Sequence, residues 1–393
     1  MKLVGLPLIV FLAISAVGLP FTYISYTGWA GSPKQDFYFG VSFGQNTTAQ
    51  AKLLIDKVKD YTNFFLINSW DIATNMTALN EICDYAAEAN LKFIVFFDFI
   101  STQYYAWHQP WLDTAKQRWG DKFLGVHLYD EPGGKQIDHG QWDEGEDVEQ
   151  VFKNVSSSAE AASAFVNSLG PTQSMQALKS RDIPVFTSDY ALYWFDYQAG
   201  YDGVFVELGW NNSREQQIAL CRGAANAQGK DWGAIIVWTQ YEPPYLSSGP
   251  EILRDMRTAY DAGAKYVIVF NYPTYPETNP YGILSEEHFE AMKQFWNYVQ
   301  FFPKGPARID AEAALVLPKD YGWGARRPDD NLWGPLNLTW RKTWPADTLA
   351  PLIWENMNKL SARYGLKLDI VYDYPNVKLE KYSNVYLWNE TIH

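Results

Sequence analysis

The chain has very few cysteines: Cys83 and Cys221 are the two among 393 residues. Small secreted scaffolds that depend on disulfides carry many more, so this class is excluded. The two cysteines fall in separate predicted helices, far apart in sequence. We therefore expect two buried thiols and no disulfide between them.

Positive charge is also scarce, because 32 Lys and Arg stand against 45 Asp and Glu, for a net charge of −13. This balance argues against nucleic acid and against anionic membrane surfaces as partners. The 20% of charged and 47% of hydrophobic residues are typical of a globular protein. Aromatic residues are unusually frequent, at 17%.

The signatures of several kinds of catalytic site are missing. No glycine-rich phosphate loop follows the first predicted strand, and there is no GxSxG elbow or Cys–His signature. Four histidines are scattered without the spacing of metal ligands: His108, His127, His139 and His288. The acids from Asp138 to Asp147 do not match a calcium-binding EF-hand loop. We expect no cofactor and no metal.

The N-terminus, by contrast, lacks charge altogether between Lys2 and Lys34. Residues 3–24 are long enough to cross a bilayer, which takes about 20 apolar residues. We interpret 1–33 as an export signal, either cleaved or retained as a membrane anchor. Six Asn-x-Ser/Thr sequons agree with an extracellular or cell-surface glycoprotein: Asn46, Asn75, Asn154, Asn211, Asn337 and Asn389.

From residue 34 to 303 the sequence repeats one pattern, a short apolar strand followed by an amphipathic helix. Eight strands are predicted, at 36–44, 63–70, 92–100, 123–129, 184–190, 203–210, 232–240 and 266–272. The clearest helices are 48–60, 76–90, 213–228, 250–263 and 284–300. Eight such repeats are typical of an α/β fold of the (β/α)8 TIM-barrel class. An open doubly wound sheet is the alternative, and the missing phosphate loop disfavours it.

After 303 the pattern changes. Residues 304–393 contain three apolar strands, at 311–317, 366–373 and 382–388, with a helix at 347–364. We predict a small C-terminal α/β domain. A loop rich in Trp, Gly and Arg contains Arg326 and Arg327, which either bind an anionic sugar or pair with neighbouring aspartates. Pairing is the favoured interpretation.

The fourth predicted strand runs into the acidic sequence Asp130-Glu131-Pro132. Strand alternation places Phe123, Gly125, His127, Tyr129 and Glu131 on the inner face, and Leu124, Val126 and Leu128 on the outer face. TIM-barrel enzymes carry their catalytic residues at the carboxyl ends of the barrel strands, which is where this acid lies. Glu131 is therefore our first catalytic candidate, and a loop acid that caps the next helix is its structural alternative.

Other strand ends supply further candidates. On the sixth strand Glu207 shares the inner face with Phe205, and on the seventh Ile236, Trp238, Gln240 and Glu242 share a face, with Ile235 and Val237 behind. Two carboxylates, one protonated and one ionised, are what the cleavage of a glycosidic bond requires. The residues that we expect to contact the sugar are Asp130, Asn68, Trp70, Asp98, Trp238, Tyr129, Trp210 and Tyr272.

These motifs resemble the large superfamily of retaining barrel glycoside hydrolases, in which the acid/base ends strand four and the nucleophile ends strand seven. The resemblance implies Glu131 as acid/base and Glu242 as nucleophile, with Glu207 as the substitute. This chain has Asp130 where the superfamily usually has Asn before the acid/base. Residues 304–393 are similar to the amidotransferase-like domain that follows the barrel in some microbial β-galactosidases. The whole layout resembles that of uncharacterised exported archaeal proteins.

The sequence thus predicts an extracytoplasmic glycosidase acting on an oligosaccharide or glycan. A separation of about 5–5.5 Å between the catalytic carboxyl groups favours retention, and about 6.5–9.5 Å favours inversion. The alternative is a non-catalytic barrel that binds glycan or belongs to the cell envelope. In that case we expect Glu131 to lie without a second acid, or to be paired with an arginine.

Overall fold

A computed structural model describes residues 36–138, 151–152, 155–239, 246–272, 279–303, 309–333 and 346–392. The strands are β1 (Tyr38–Phe43), β2 (Phe64–Ile67), β3 (Lys92–Phe97), β4 (Phe123–Leu128), β5 (Val185–Asp189), β6 (Gly203–Leu208), β7 (Asp231–Ile236), β8 (Tyr266–Val269), β9 (Ala313–Leu317), β10 (Leu368–Tyr372) and β11 (Asn384–Leu387). The helices are α1 (Thr48–Val58), α2 (Trp70–Ala73), α3 (Met76–Glu88), α4 (His108–Trp119), α5 (Pro132–Ile137), α6 (Ser158–Leu169), α7 (Gln173–Lys179), α8 (Tyr193–Ala199), α9 (Arg214–Gln228), α10 (Gly249–Asp261), α11 (Glu286–Phe301) and α12 (Ala346–Tyr364).

Strands β1 to β8 are all parallel and form a closed barrel in sequence order, with β8 paired to β1. This confirms the (β/α)8 prediction and excludes the open sheet. Local signals start the surrounding helices where the sequence predicts them: Thr47 and Gln50 form a capping box on α1, and Ser248 and Glu251 form another on α10. Helix formation is thus encoded locally. Closure of the barrel then buries the apolar faces that a single strand–helix repeat leaves exposed.

Aromatic and aliphatic side chains fill the interior of the barrel. Phe64, Phe186, Phe205 and Tyr266 form part of one buried cluster, in which the Phe186 and Phe205 rings stack at 5.5 Å. The interior is therefore a packed core and not a pore, as is usual for this fold. A ligand has to bind at an end of the barrel.

The β4 strand contains an irregularity that changes the predicted orientation of its first residues. Its register with β3 shifts by one residue between the pairs Phe93–Phe123 and Ile94–Gly125. As a result Leu124 packs against the barrel interior, whereas Phe123 packs in the outer cluster under the helices. The prediction for these two residues was wrong, because a bulge inserts one residue and reverses the alternation before it.

The β7 orientation was also predicted wrongly. Ile235 and Val237 face the interior, while Ile236 and Trp238 belong to the outer cluster. Trp238 is buried, donates its indole N–H to the carbonyl of Phe270 at 2.6 Å, and packs 4.3 Å from the His288 ring. A strand that is apolar on both faces carries no polar residue to mark which side is inward.

The C-terminal segment forms a three-stranded parallel sheet in the order β10-β9-β11, which confirms that a small C-terminal sheet exists. Helix α9 of the barrel packs against β10 so closely that a Cβ on Gly223 would lie 2.2 Å from the carbonyl oxygen of Ile370. Beside this contact Arg222 forms a fully buried ion pair with Asp369, at 2.7 Å.

Two remaining predictions concern the cysteines and the N-terminus. Cys83 and Cys221 are both buried free thiols, as expected. The hydrophobic segment 1–33 lies outside the described residues. Within the described part of the chain, no helix has the length and apolarity needed to span a bilayer.

Candidate active site

The turn after β4 carries the first candidate acid in an unusual backbone conformation. Tyr129 and Glu131 both have φ of 54°, in the left-handed region that residues other than glycine rarely adopt. Glu131 is the N-cap of α5, and Pro132 occupies the first turn of that helix. Strained backbone of this kind is characteristic of functional sites and needs support from its surroundings.

Asp189, the last residue of β5, provides that support. Its buried carboxylate accepts hydrogen bonds from the backbone N–H groups of Gly133 at 2.6 Å, Gly134 at 2.8 Å, Tyr190 at 2.7 Å and Ala191 at 3.1 Å. The Glu131 N–H donates to the carbonyl of Ser188 at 3.0 Å. The turn that presents Glu131 is therefore tied to the neighbouring strand, with Asp189 at the positive end of α5.

Glu131 and Glu207 come together in this site. Glu207 is on β6, two strands away from β4. It lies two residues after Phe205, which packs in the interior cluster, so its side chain is on the inner face as predicted. The two carboxyl groups are in hydrogen-bonding contact, and Ser188 on the intervening strand donates its hydroxyl to Asp130 at 2.7 Å and contacts Glu207. Three acids, Asp130, Glu131 and Glu207, thus converge at the carboxyl end of β4–β6.

This arrangement favours a proton held between two carboxyl groups. Burial, reinforced by the charges of Asp130 and Asp189, raises the pKa of Glu131 to about 8. Burial and the charge of Glu131 raise the pKa of Glu207 well above its ordinary value. Two like charges in contact cannot both ionise at neutral pH. The hydrogen bond from Glu207 lowers the pKa of Glu131, so Glu207, the more deeply buried acid, keeps its proton when Glu131 ionises.

The contact is shorter than the separations that distinguish the two usual mechanisms of glycosidases. A sugar ring between the catalytic groups needs about 5 Å or more. The Glu131–Glu207 pair therefore favours neither retention nor inversion by itself, and Glu207 is better placed to control the protonation of Glu131 than to attack across a sugar. The Glu242 side chain, the other predicted partner, lies outside the described residues, as does Gln240.

A cavity of about 430 Å³ opens above Glu131. Its walls also include Tyr190, Trp210, Asn212, Arg326, Arg327 and Asp138. The Tyr190 and Trp210 rings meet edge to face at 6.0 Å. This volume lies within the range of small-ligand sites, and aromatic faces beside polar groups suit the apolar C–H faces of a sugar.

The C-terminal segment supplies one wall of this cavity through its two arginines. The Arg326 guanidinium donates to both carboxylate oxygens of Asp330 and of Asp138, at 2.8–2.9 Å, and lies 5.2 Å from the centre of the Tyr190 ring. Arg327 is exposed and pairs with Asp329 at 3.9 Å. The favoured interpretation of this pair is confirmed, with Asp138 as an additional partner that the sequence did not suggest.

The other predicted sugar-binding residues do not line the cavity. Trp70 is 46% exposed in α2, where it contacts Phe99 and Tyr105, and Tyr272 is 40% exposed against Phe270. Tyr129 and Trp238 are buried among core residues. Asn68 and Asp98 follow β2 and β3 and are not among the residues that line the cavity. Of the eight predicted residues, Trp210 lines the cavity and Asp130 lies in the acid cluster beneath it.

Two residues of the site had no signal in the sequence. Ser188 is an ordinary strand serine, and its bridging role follows from the closeness of β4, β5 and β6. Asn212 belongs to a loop whose path is set by Arg214, which donates to the Asn212 and Gly209 carbonyls. Among the described residues, no group of His, Cys, Asp and Glu has an arrangement suited to a metal ion.

No protein-family model and no curated protein sequence matches this chain. Solved structures with a similar fold include a 3-hexulose-6-phosphate synthase, with 12% identity and a TM-score of 0.36, covering 66% of this chain and 99% of that one. A glycosylated endo-β-1,4-xylanase from Gloeophyllum trabeum has 12% identity and a TM-score of 0.39, covering 66% and 96%. A thermostable mutant of a xylanase from Cellvibrio japonicus has 10% identity and a TM-score of 0.39, covering 67% and 98%. At these identities the likenesses concern the fold alone.

Proposed function

We propose that this protein is a glycoside hydrolase in which Glu131 is the general acid. The observation that carries the proposal is the contact between Glu131 and Glu207 beneath a cavity with aromatic walls. Glu131 lines the cavity and Glu207 is 6% exposed below it, so the two acids have different access to a substrate. A barrel alone confers no activity, and the proposal therefore rests on this site.

The roles follow from the positions of the groups. Glu131 holds a proton at neutral pH because its pKa is raised, and it donates this proton to the leaving glycosidic oxygen. Glu207 keeps its own proton and donates a hydrogen bond to the carboxylate that Glu131 becomes once it has given up its proton. Trp210 and Tyr190 contact the sugar. By the resemblance to retaining glycosidases, Glu242 supplies the nucleophile.

The test compares substrates that need a proton with one that does not. The purified full-length chain is screened against oligosaccharides and paired 4-nitrophenyl and 2,4-dinitrophenyl glycosides, as wild type, as Glu131→Gln and as the exposed-site control Glu88→Gln. Loss of a general acid lowers kcat about 10²–10⁴-fold. We expect that loss for Glu131→Gln on unactivated glycosides, and a much smaller one on dinitrophenyl glycosides, whose leaving group needs no protonation.

Activity that survives Glu131→Gln on every substrate contradicts the assignment of the acid. Binding of glycans without cleavage by the wild type supports the non-catalytic alternative instead.

Location remains a proposal from the sequence alone. We infer from segment 1–33 and the six sequons that the chain is exported, to the cell surface or beyond, where its substrate is a glycan. The likeness of 304–393 to an amidotransferase-like domain belongs to the same proposal. Fractionation of cells producing the full chain checks the location, and a cytoplasmic pool alone contradicts it.

A further inference from the structure

A second cavity lies on the other side of Trp210. It measures about 320 Å³, and Trp210 and Asn212 line both it and the cavity above Glu131. The second cavity lies between the loop after β6 and the start of α10, at the carboxyl end of the barrel strands. The two spaces are therefore neighbours, separated by one aromatic side chain and one amide.

Several contacts hold Trp210 and Asn212, the wall that the two cavities share, in place. Trp210 has a left-handed φ of 45°, and it follows Gly209, where a Cβ would lie 2.6 Å from the carbonyl oxygen of Val237. Arg214 donates to the carbonyls of Gly209 at 2.7 Å and Asn212 at 2.8 Å, and its guanidinium is fixed by Asp255 at 3.0 Å. The surrounding structure thus holds a strained tryptophan in place, as is common for residues that contact ligands.

The chemistry of the second cavity suits a ligand rich in hydroxyl groups. Ser213, Glu215 and Arg254 contribute hydroxyl, carboxylate and guanidinium groups to its walls, and all three are exposed. Acceptors and donors are both present, as the vicinal hydroxyls of a sugar require. The aromatic ring of Trp210 borders this polar surface.

We propose that the second cavity is a further sugar subsite, and that the ligand is an oligosaccharide whose chain crosses Trp210. This inference rests on the proposed function, because it assigns the cavity above Glu131 to the sugar that is cleaved. Each cavity alone is near the lower end of the range for small-ligand sites, whereas the two together accommodate a longer chain. Because they share Trp210 and Asn212, one ligand can occupy both.

The experiment measures binding against chain length. The full-length Glu131→Gln protein is used, because the substitution prevents turnover. It is titrated by calorimetry with cello-, xylo- and N-acetylchito-oligosaccharides of one to six sugars. We expect one series to gain about tenfold or more in affinity between one and three sugars and then to level off, as one additional set of charged hydrogen bonds provides. Catalytic efficiency of the wild type should follow the same order.

Two variants on α10 provide a matched comparison. Arg254→Ala removes a group of the second cavity, whereas Arg257→Ala removes an exposed arginine of the same helix that lies over Tyr298, outside the cavity. We expect Arg254→Ala to weaken the trisaccharide about tenfold and leave the monosaccharide unchanged, and Arg257→Ala to change neither.

Three outcomes overturn the inference. Affinity that does not depend on chain length removes the subsite while leaving the proposed glycosidase in place. Equal trisaccharide affinities for Arg254→Ala and Arg257→Ala place the gain elsewhere. If no series binds and none is cleaved, the inference and the proposed function fail together.

Discussion

Replacing Glu131 with glutamine should stabilise this protein at neutral pH, and the gain should disappear in acid. Glutamine keeps the size and the hydrogen-bonding capacity of a protonated glutamate but cannot ionise. Burial beside Asp130 and Asp189 raises the pKa of Glu131 from 4.5 to about 8. The folded protein therefore disfavours the charged form of this side chain.

The sign of the effect follows from proton linkage. Below pH 4.5 the folded and the unfolded chain both keep the proton of Glu131, so the substitution changes little. Between pH 4.5 and about 8 the unfolded chain releases a proton that the folded chain retains, and the stability of the wild type falls as pH rises. The glutamine side chain of the variant does not titrate, so Glu131→Gln lacks this loss.

The magnitude has an upper limit of about 5 kcal/mol, since each unit of pKa difference corresponds to about 1.4 kcal/mol. The contact with Glu207 shares that cost between two groups. We therefore expect a gain of about 1–3 kcal/mol at pH 8, which raises Tm by a few degrees in a chain of this size.

The assay is thermal and urea unfolding of wild type and Glu131→Gln at pH 4.5, 6 and 8. Glu88→Gln, at an exposed position on α3, is the control and should stay within about 0.5 kcal/mol of wild type at each pH. A difference between Glu131→Gln and wild type that stays the same from pH 4.5 to 8, or that favours wild type at pH 8, refutes the reasoning about the acid pair.

Two further predictions concern the contacts that hold the site and the C-terminal sheet. Arg222→Ala leaves the buried carboxylate of Asp369 without its cation and should cost about 3–5 kcal/mol, measured by urea unfolding; a loss below about 1 kcal/mol would show that the pair does not link α9 to β10. The Asp189 carboxylate accepts hydrogen bonds from four backbone N–H groups, and Asp189→Asn replaces one of its two acceptor oxygens with an NH2 donor. This variant should cost about 2–4 kcal/mol and should lose the proposed glycosidase activity at temperatures where it is still folded. Unchanged stability and activity in that variant would show that the turn of Glu131 does not depend on Asp189.

The architecture was predictable because its signals are local. Each of the eight repeats carries its own apolar strand and amphipathic helix, and capping residues such as Thr47 and Ser248 begin the helices. The placement of Glu131 at the end of β4 also followed from one stretch of sequence. So did the inward face of Glu207, because Val204, Val206 and Leu208 mark the opposite face of β6.

The inward or outward direction of a strand's side chains was not predictable where the pattern of apolar residues is ambiguous. Both faces of β7 are apolar, so its sequence does not show which face is inward. The bulge in β4 depends on the register with β3, which the β4 sequence does not contain. Both errors moved side chains from one face to the other. Trp238 was consequently assigned to the site, although it packs against His288 under the helices.

The sequence by itself determined which segments become strands and helices, and which acids end the strands, because side-chain periodicity and capping act within a few residues. Tertiary structure alone decided that Glu207 meets Glu131, that Asp189 ties down the turn, and that Arg326 reaches Asp138 to form a wall of the cavity. These contacts join residues 55 to 188 positions apart in the chain. They exist only once the barrel closes and brings β4, β5 and β6 side by side with the C-terminal segment.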